Sequence, residues 1–282
     1  FPIRLEWSRA LYSEEYKIHQ DSLFLDALQT NVFDDYKDNA EDQDSTSSTR
    51  LLTTFIAEVS SGSECLEFQI EHCRSSEVDL VGLQVWRGAL LLSDFILAQP
   101  QHFKNRHVIE LAAGTGLTSI VAAKWARHVL CTDVDRGEIL DLIRSNVKLN
   151  GCDNVCKIEE INFFETSWRV QLQREIDTAE VVLVADVVYN PEITAQFFNS
   201  LQFILDRNPI VEVFLAIEQR CQMNEQGELI SPNFDHFCAL LSGLAAKNGQ
   251  STILKELPCD FPRFFNSYER VKRLHLWHIA RL

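Results

Sequence analysis

The sequence predicts a doubly wound α/β domain with a small β-rich extension at its N-terminal side, and three observations carry that reading. From Val85 onward, apolar runs of about five or six residues alternate with longer segments of helical periodicity, as repeated βαβ units do. Two glycines, Gly114 and Gly116, stand where one apolar run gives way to a helix. An acidic residue, Asp133, closes the next apolar run about 20 residues on.

The elements follow in order. Residues 1–7 and 66–73 (LEFQIEHC) alternate with period two, as half-buried strands do. Between them, residues 33–50 (FDDYKDNAEDQDSTSSTR) are acidic and poor in large apolar side chains, so burial does not offset the entropy of ordering them and a loop or disordered linker is expected. Residues 1–80 are therefore read as the β-rich extension and 81–282 as the main domain. A helix over 86–99 ends at Pro100, because proline blocks its continuation. Strand 107–111, helix 116–126, strand 128–132 and helix 136–149 follow. Strands over 155–161 and 180–185 lead to a helix over 191–206, opened by Pro191 and carrying Ile193, Phe197, Leu201, Ile204 and Leu205 on one face. A strand at 211–217, a helix at 234–246 and closing strands at 252–257 and 274–280 complete the sheet, with one of the last two expected to be antiparallel.

Composition narrows the function classes. The 282 residues are 46% hydrophobic, enough for a large core, and no run approaches the roughly 18 apolar residues of a membrane span. The formal charge of −15 disfavours phosphate backbones and suits a basic, lysine-bearing protein surface. Eight dispersed cysteines without CxxC spacing point to reduced thiols and a nuclear or cytoplasmic setting. The His275–His278 pair reads as a strand with one exposed face, and no metal site is expected. The first residue is Phe1 rather than methionine, which leaves the position of the natural N-terminus open.

The chemistry concentrates in VIELAAGTGLT, residues 108–118. A strand feeding a glycine turn and a helix start offers bare backbone N–H groups to a nucleotide-like cofactor, and Asp133 is placed to accept ribose hydroxyl protons. Glu110, just before the turn, would repel a pyrophosphate but can hold an ammonium. A buried carboxylate there is costly without a purpose. The pair therefore favours S-adenosyl-L-methionine over a dinucleotide. At the end of a later strand stands D-V-V-Y, with Asp186 and Tyr189 at the carboxyl edge where open parallel sheets place active residues. Glu218 ends the following strand and is expected to form a surface ion pair with Arg220.

In this order and spacing, VWRGALLLSDFIL, IELAAGTGL, TD, NFF and ADVVY resemble the methyltransferase-like protein lysine methyltransferases, over about residues 66–282. The resemblance implies a seven-stranded class I methyltransferase sheet, Rossmann-like, with S-adenosyl-L-methionine as cofactor and methyl transfer to the ε-amine of a protein lysine. It assigns cofactor contacts to Trp86, Glu110, the turn Ala112, Ala113, Gly114, Thr115 and Gly116, then Asp133, Phe163 and Ala185. It gives Asp186 the role of holding and orienting the substrate ammonium, with Tyr189 lining the lysine channel. Two positions depart from the family pattern. Ala112 stands where the family has glycine, and Asn162–Phe163 replaces an aspartate followed by tryptophan. A catalytically silent cofactor-binding scaffold, a methyltransferase for a non-protein substrate and a nicotinamide-linked oxidoreductase are the alternatives.

Overall fold

Residues 50–58, 65–74, 76, 78–165, 167–248 and 252–281 are described by the structure, a computed structural model. The strand expected at residues 1–7 and all of the expected acidic loop except Arg50 lie outside them. Arg50 instead opens an antiparallel hairpin, β1 (Arg50–Glu58) with β2 (Cys65–Cys73). A 3₁₀ turn (Val78–Leu83) leads to α1 (Arg87–Ala98) and the short α2 (Pro100–Phe103). The alternating region then reads β3 (His107–Leu111), α3 (Leu117–Ala122), β4 (His128–Asp133), α4 (Ile139–Leu149), β5 (Cys156–Glu160), α5 (Val170–Thr178) and β6 (Val181–Ala185). It continues through α6 (Pro191–Arg207), β7 (Glu212–Glu218), a minor hairpin β8 (Gln222–Met223) with β9 (Leu229–Ile230), α7 (Pro232–Asn248), β10 (Thr252–Leu257) and β11 (Leu274–Arg281).

Seven of these strands form one sheet in the order β10-β11-β7-β6-β3-β4-β5. β3 to β7 are mutually parallel, and β11 runs antiparallel to both β7 and β10. This is the seven-stranded Rossmann-like sheet that the resemblance implies, with the antiparallel strand among the last two as expected. The central strands are apolar throughout because both faces are covered. Alternate residues of β6 show it: Val181 and Leu183 join a core with Leu90 and Leu91 of α1, Ile120 of α3 and Ile143 of α4, while Val182 and Val184 join one with Ile176 of α5, Phe197 of α6 and Phe237 of α7.

The hairpin packs into the first of these cores through Phe55, Phe68 and Ile70. Its backbone is tied to α4, where Asn146 and Asn150 accept from the Glu71 and Gln69 N–H groups at 2.7 and 3.0 Å. Asp94 of α1, buried among apolar neighbours, accepts from Phe264 N, Phe265 N, the Tyr268 hydroxyl and Arg270, and so fastens the loop between β10 and β11.

Two helices are shorter than the sequence pattern predicts. α4 starts at Ile139 rather than 136 because Gly137 takes a left-handed φ of 58°. α3 ends at Ala122 rather than 126, where Lys124 N and Trp125 N bond three residues back and tighten the turn. The β1 strand, the 3₁₀ turn, α2, α5 and the β8–β9 hairpin have no counterpart in the sequence expectation.

Candidate active site

β3 must turn into α3 within the five residues Ala112 to Gly116. Ala112, Gly114 and Gly116 achieve this with φ of 52°, 57° and 79°. A Cβ on Gly114 would stand 3.1 Å from the Gly82 carbonyl, and one on Gly116 3.3 Å from Ile143, so close approach adds to the conformational demand for glycine. Ala112 meets the same left-handed geometry with a side chain, at a cost of about 1 kcal/mol. Ala113 N donates to Thr132 O at 2.9 Å, and the Thr115 carbonyl accepts from Asn146 at 2.9 Å, which fixes the turn against β4 and α4.

The carboxylates beside the turn are buried. Glu110 is 1% exposed, and its Oε2 accepts from Ser119 N at 2.8 Å and from the Ser119 hydroxyl. It thereby supplies an acceptor to the first turn of α3, whose N-cap Gly116 has no side chain to do so. Asp133 takes Gly114 N on one oxygen and Val134 N on the other, each at 2.7 Å. Burial pushes Glu110 up to about 7, Ser119 opposing and Asp133 adding to it, and pushes Asp133 up to about 6 against the pull of its two N–H donors. Among the described residues neither carboxylate has an ion-pair partner within 4.0 Å.

Trp86, at the N-cap of α1, donates its indole N–H to Val81 O at 2.9 Å, next to the Gly82 that lies against Gly114. Phe163 packs edge-on against Phe197, with ring centroids 5.7 Å apart, over the same core that Ala112 touches.

The C-terminal ends of β6 and β7 form the second half of the site. Asp186, at φ 51°, accepts from Gly88 N at 2.6 Å and from Glu218 N at 2.8 Å. Its carboxylate thus clamps the start of α1 to the end of β7, and only glycine fits at position 88, where a Cβ would stand 2.6 Å from Asp186 Oδ2. Half-buried Tyr189 has its carbonyl fixed by Asn233 at 2.9 Å, beside the start of α6 that Asn190 caps. Glu218 does not pair with Arg220 at the surface as the sequence suggested. It is buried and paired with Arg87 at 3.3 Å, while the Arg220 guanidinium lies over the Trp86 ring at 4.4 Å. Glu218 Oε2 is buried with no hydrogen-bond partner among the described residues. Burial and then Asp186 raise its pKa, Arg87 opposing.

Residues 67–229 match the sequence signature of the family described as lysine methyltransferase. The chain belongs to that family. Methyltransferase-like protein 22 of Mus musculus is 34% identical over 233 residues, which cover 75% of this chain and 58% of that protein. The Homo sapiens protein of the same name is 30% identical over 244 residues, 79% of this chain and 60% of its own. The protein-lysine N-methyltransferase EEF2KMT of Homo sapiens is 29% identical over 201 residues, 68% of this chain and 58% of its own. The chain thus spans less than two thirds of the length of these relatives.

The cofactor of this lysine methyltransferase-family chain is S-adenosyl-L-methionine. The chemistry of the turn fits it. Two buried carboxylates with raised pKa and no compensating Lys or Arg among the described residues suit a cationic, hydroxyl-bearing ligand and would reject a polyanion. One expectation changes in detail. Glu110 is 1% exposed and its Oε2 is bonded to Ser119 in the first turn of α3, so the carboxylate expected to hold an ammonium is engaged by the helix start. Gly82, Gly88 and the buried Glu218 Oε2 were not assigned to the site from sequence. Their roles depend on contacts with Gly114, Asp186 and Arg87 that no local motif encodes.

Proposed function

We propose that this chain is a protein-lysine N-methyltransferase of the nucleus or cytoplasm, acting on a basic, lysine-bearing surface of its substrate. The observation that carries the reading is the pair of buried carboxylates, Asp186 and Glu218, at the C-terminal ends of adjacent strands, with Glu218 Oε2 lacking a donor among the described residues. Glu218 Oε2 is a buried acceptor without a donor among the described residues, and a lysine ammonium brought to these strand ends would supply one. The net charge of −15 and the name of the EEF2KMT relative support the same substrate class.

When bound, S-adenosyl-L-methionine supplies an electrophilic methyl group on a sulfonium. Asp133 and the backbone of Ala112 to Gly116 would hold its ribose and amino-acid ends, and Trp86, Phe163 and Ala185 would supply apolar walls. Asp186 is a positioning residue that holds α1 and β7 together. Glu218 Oε2 receives the substrate ammonium, and Tyr189 lines the approach of the lysine stem. The amine must lose its proton to expose a lone pair, and Glu218 Oε2, whose pKa burial raises, is the acceptor proposed for that proton. Orientation by these fixed groups, rather than covalent catalysis, is what the edge contributes.

The test is incubation of the chain with methyl-labelled cofactor and a cell extract, followed by acid hydrolysis and amino-acid analysis. Label in methyllysine that disappears in Glu218→Gln supports the proposal. Label recovered in nucleic acid or small molecules, or cofactor binding without label anywhere, contradicts it.

A further inference from the structure

At the opposite end of the sheet, His107 and His128 are paired first residues of the neighbouring strands β3 and β4, and Glu175 reaches them from α5. Both imidazole Nε2 atoms converge on one oxygen, Glu175 Oε2, at 3.2 Å each. The three ligand atoms lie within 4.8 Å of one another. We propose that His107, His128 and Glu175 form a binding site for a divalent transition metal, zinc by ligand type.

The hydrogen bonding of His107 carries the argument. Its Nδ1 lies 3.1 Å from the Thr178 hydroxyl, whose own hydrogen is directed to the carbonyls of Arg174 and Glu175 at 3.2 Å. In the tautomer with the ring hydrogen on Nδ1, Thr178 Oγ1 accepts from His107 and Nε2 presents its lone pair toward Glu175, which is the tautomer a bound metal selects. That nitrogen is buried and has no hydrogen-bond partner among the described residues. Lone pairs facing each other need a cation between them. A divalent ion serves all three ligands at once.

Geometry and surroundings agree. Ligands about 2.0–2.2 Å from a tetrahedral zinc stand about 3.3–3.5 Å from each other, close to the two observed separations. The third separation, between the two imidazole nitrogens, is at most 4.8 Å. Two histidines and a glutamate leave a fourth position for water, and His128 and Glu175, with side chains 22% and 29% exposed, open the site to solvent. The Thr178 contact is the outer-shell partner that metal-bound histidines require to fix their tautomer. The neighbouring cation, Arg127, is drawn off by Glu180 and the Asn105 carbonyl. Such an ion would staple β3, β4 and α5 about five residues of strand away from the cofactor turn, so the inference is independent of the methyl-transfer reading.

The experiment uses the whole chain with Co²⁺ as a spectroscopic probe and Zn²⁺ as competitor. One Co²⁺ with tetrahedral d–d bands, without thiolate charge-transfer bands and displaced by Zn²⁺, is expected. Glu175→Gln and His128→Gln should each bind at least tenfold more weakly and lose the Zn²⁺-dependent rise in Tm seen for the parent chain, while circular dichroism reports both folded. Absence of d–d bands, thiolate bands in their place, or unchanged binding in both folded variants would overturn the site. Glu175→Gln is nearly isosteric and keeps the test decisive if His128→Gln is unstable.

Discussion

The two ends of the same sheet handle negative charge in opposite ways. At the N-terminal edge, Glu212 receives Arg106 at 2.9 Å and His102 and His278 at 3.2 Å, while Glu180 receives the His107 backbone N–H and Arg127. Burial raises Glu212, yet Arg106, His102 and His278 together bring it below the usual carboxylate range. At the C-terminal edge, Glu110 and Asp133 are more deeply buried, have no cation among the described residues and are raised to about 7 and about 6. The same edge holds Ala112 and Asp186 in the left-handed region, whereas the other has Asn105, a residue type that tolerates it. Strain and uncompensated charge together mark the end of the sheet where a ligand completes the protein.

The comparison is broken most forcefully by removing Asp133. Asp133→Ala deletes the acceptor for the ribose and for Gly114 N, and cofactor affinity measured by calorimetry should fall about a hundredfold, the scale of one or two charge-assisted hydrogen bonds. Gly88→Ala drives a methyl into the Asp186 carboxylate and should cost about 2 kcal/mol in thermal unfolding, with loss of methyl transfer if the clamp orders the lysine end. An unchanged Tm would mean that the α1–β7 clamp is dispensable.

Glu110→Gln sharpens the electrostatic half. A carboxyl whose folded pKa is raised contributes stability that is fully present below its unfolded value, near 4.5, and is lost as pH rises through about 7. Without cofactor, the variant should match the parent chain near pH 4 and exceed it by on the order of 2 kcal/mol at pH 8. With cofactor the order reverses, because the favourable charge is gone. Equal pH dependence of the two chains would remove Glu110 from the account. The smallest effect is expected at Ala112, where glycine relieves the left-handed strain at some entropic cost, for a gain of about 0.5 kcal/mol and a slightly tighter cofactor complex.

Much of the fold was legible because its signals are local. The apolar run VVLVA, the Pro191 helix start and the glycine turn each lie within a few residues of what they specify, and β3, β6 and β10 begin and end within one residue of expectation. The candidate site was legible in position but not in partnership. Asp186 and Gly88 are 98 residues apart, and Glu218 and Arg87 are 131 apart. Arg220 was the nearer partner in sequence, yet the topology gives it Trp86. The histidines fail in the same way: the HLWH pair attracts attention by spacing, whereas His107 and His128 meet only because parallel strands set them in register. α5 escaped notice because its buried stripe is only Leu172 and Ile176 among polar residues.

The central claim is that the uncompensated carboxylates at the C-terminal edge draw in a cationic cofactor, and calorimetric titration with S-adenosyl-L-methionine from pH 5.5 to 7.5, in buffers of different ionisation enthalpy, tests it most directly. Binding should favour the ionised forms of Asp133 and Glu110, so affinity should rise about tenfold or more across this range with protons released near pH 6 to 7. Affinity independent of pH, with no proton released, would contradict it.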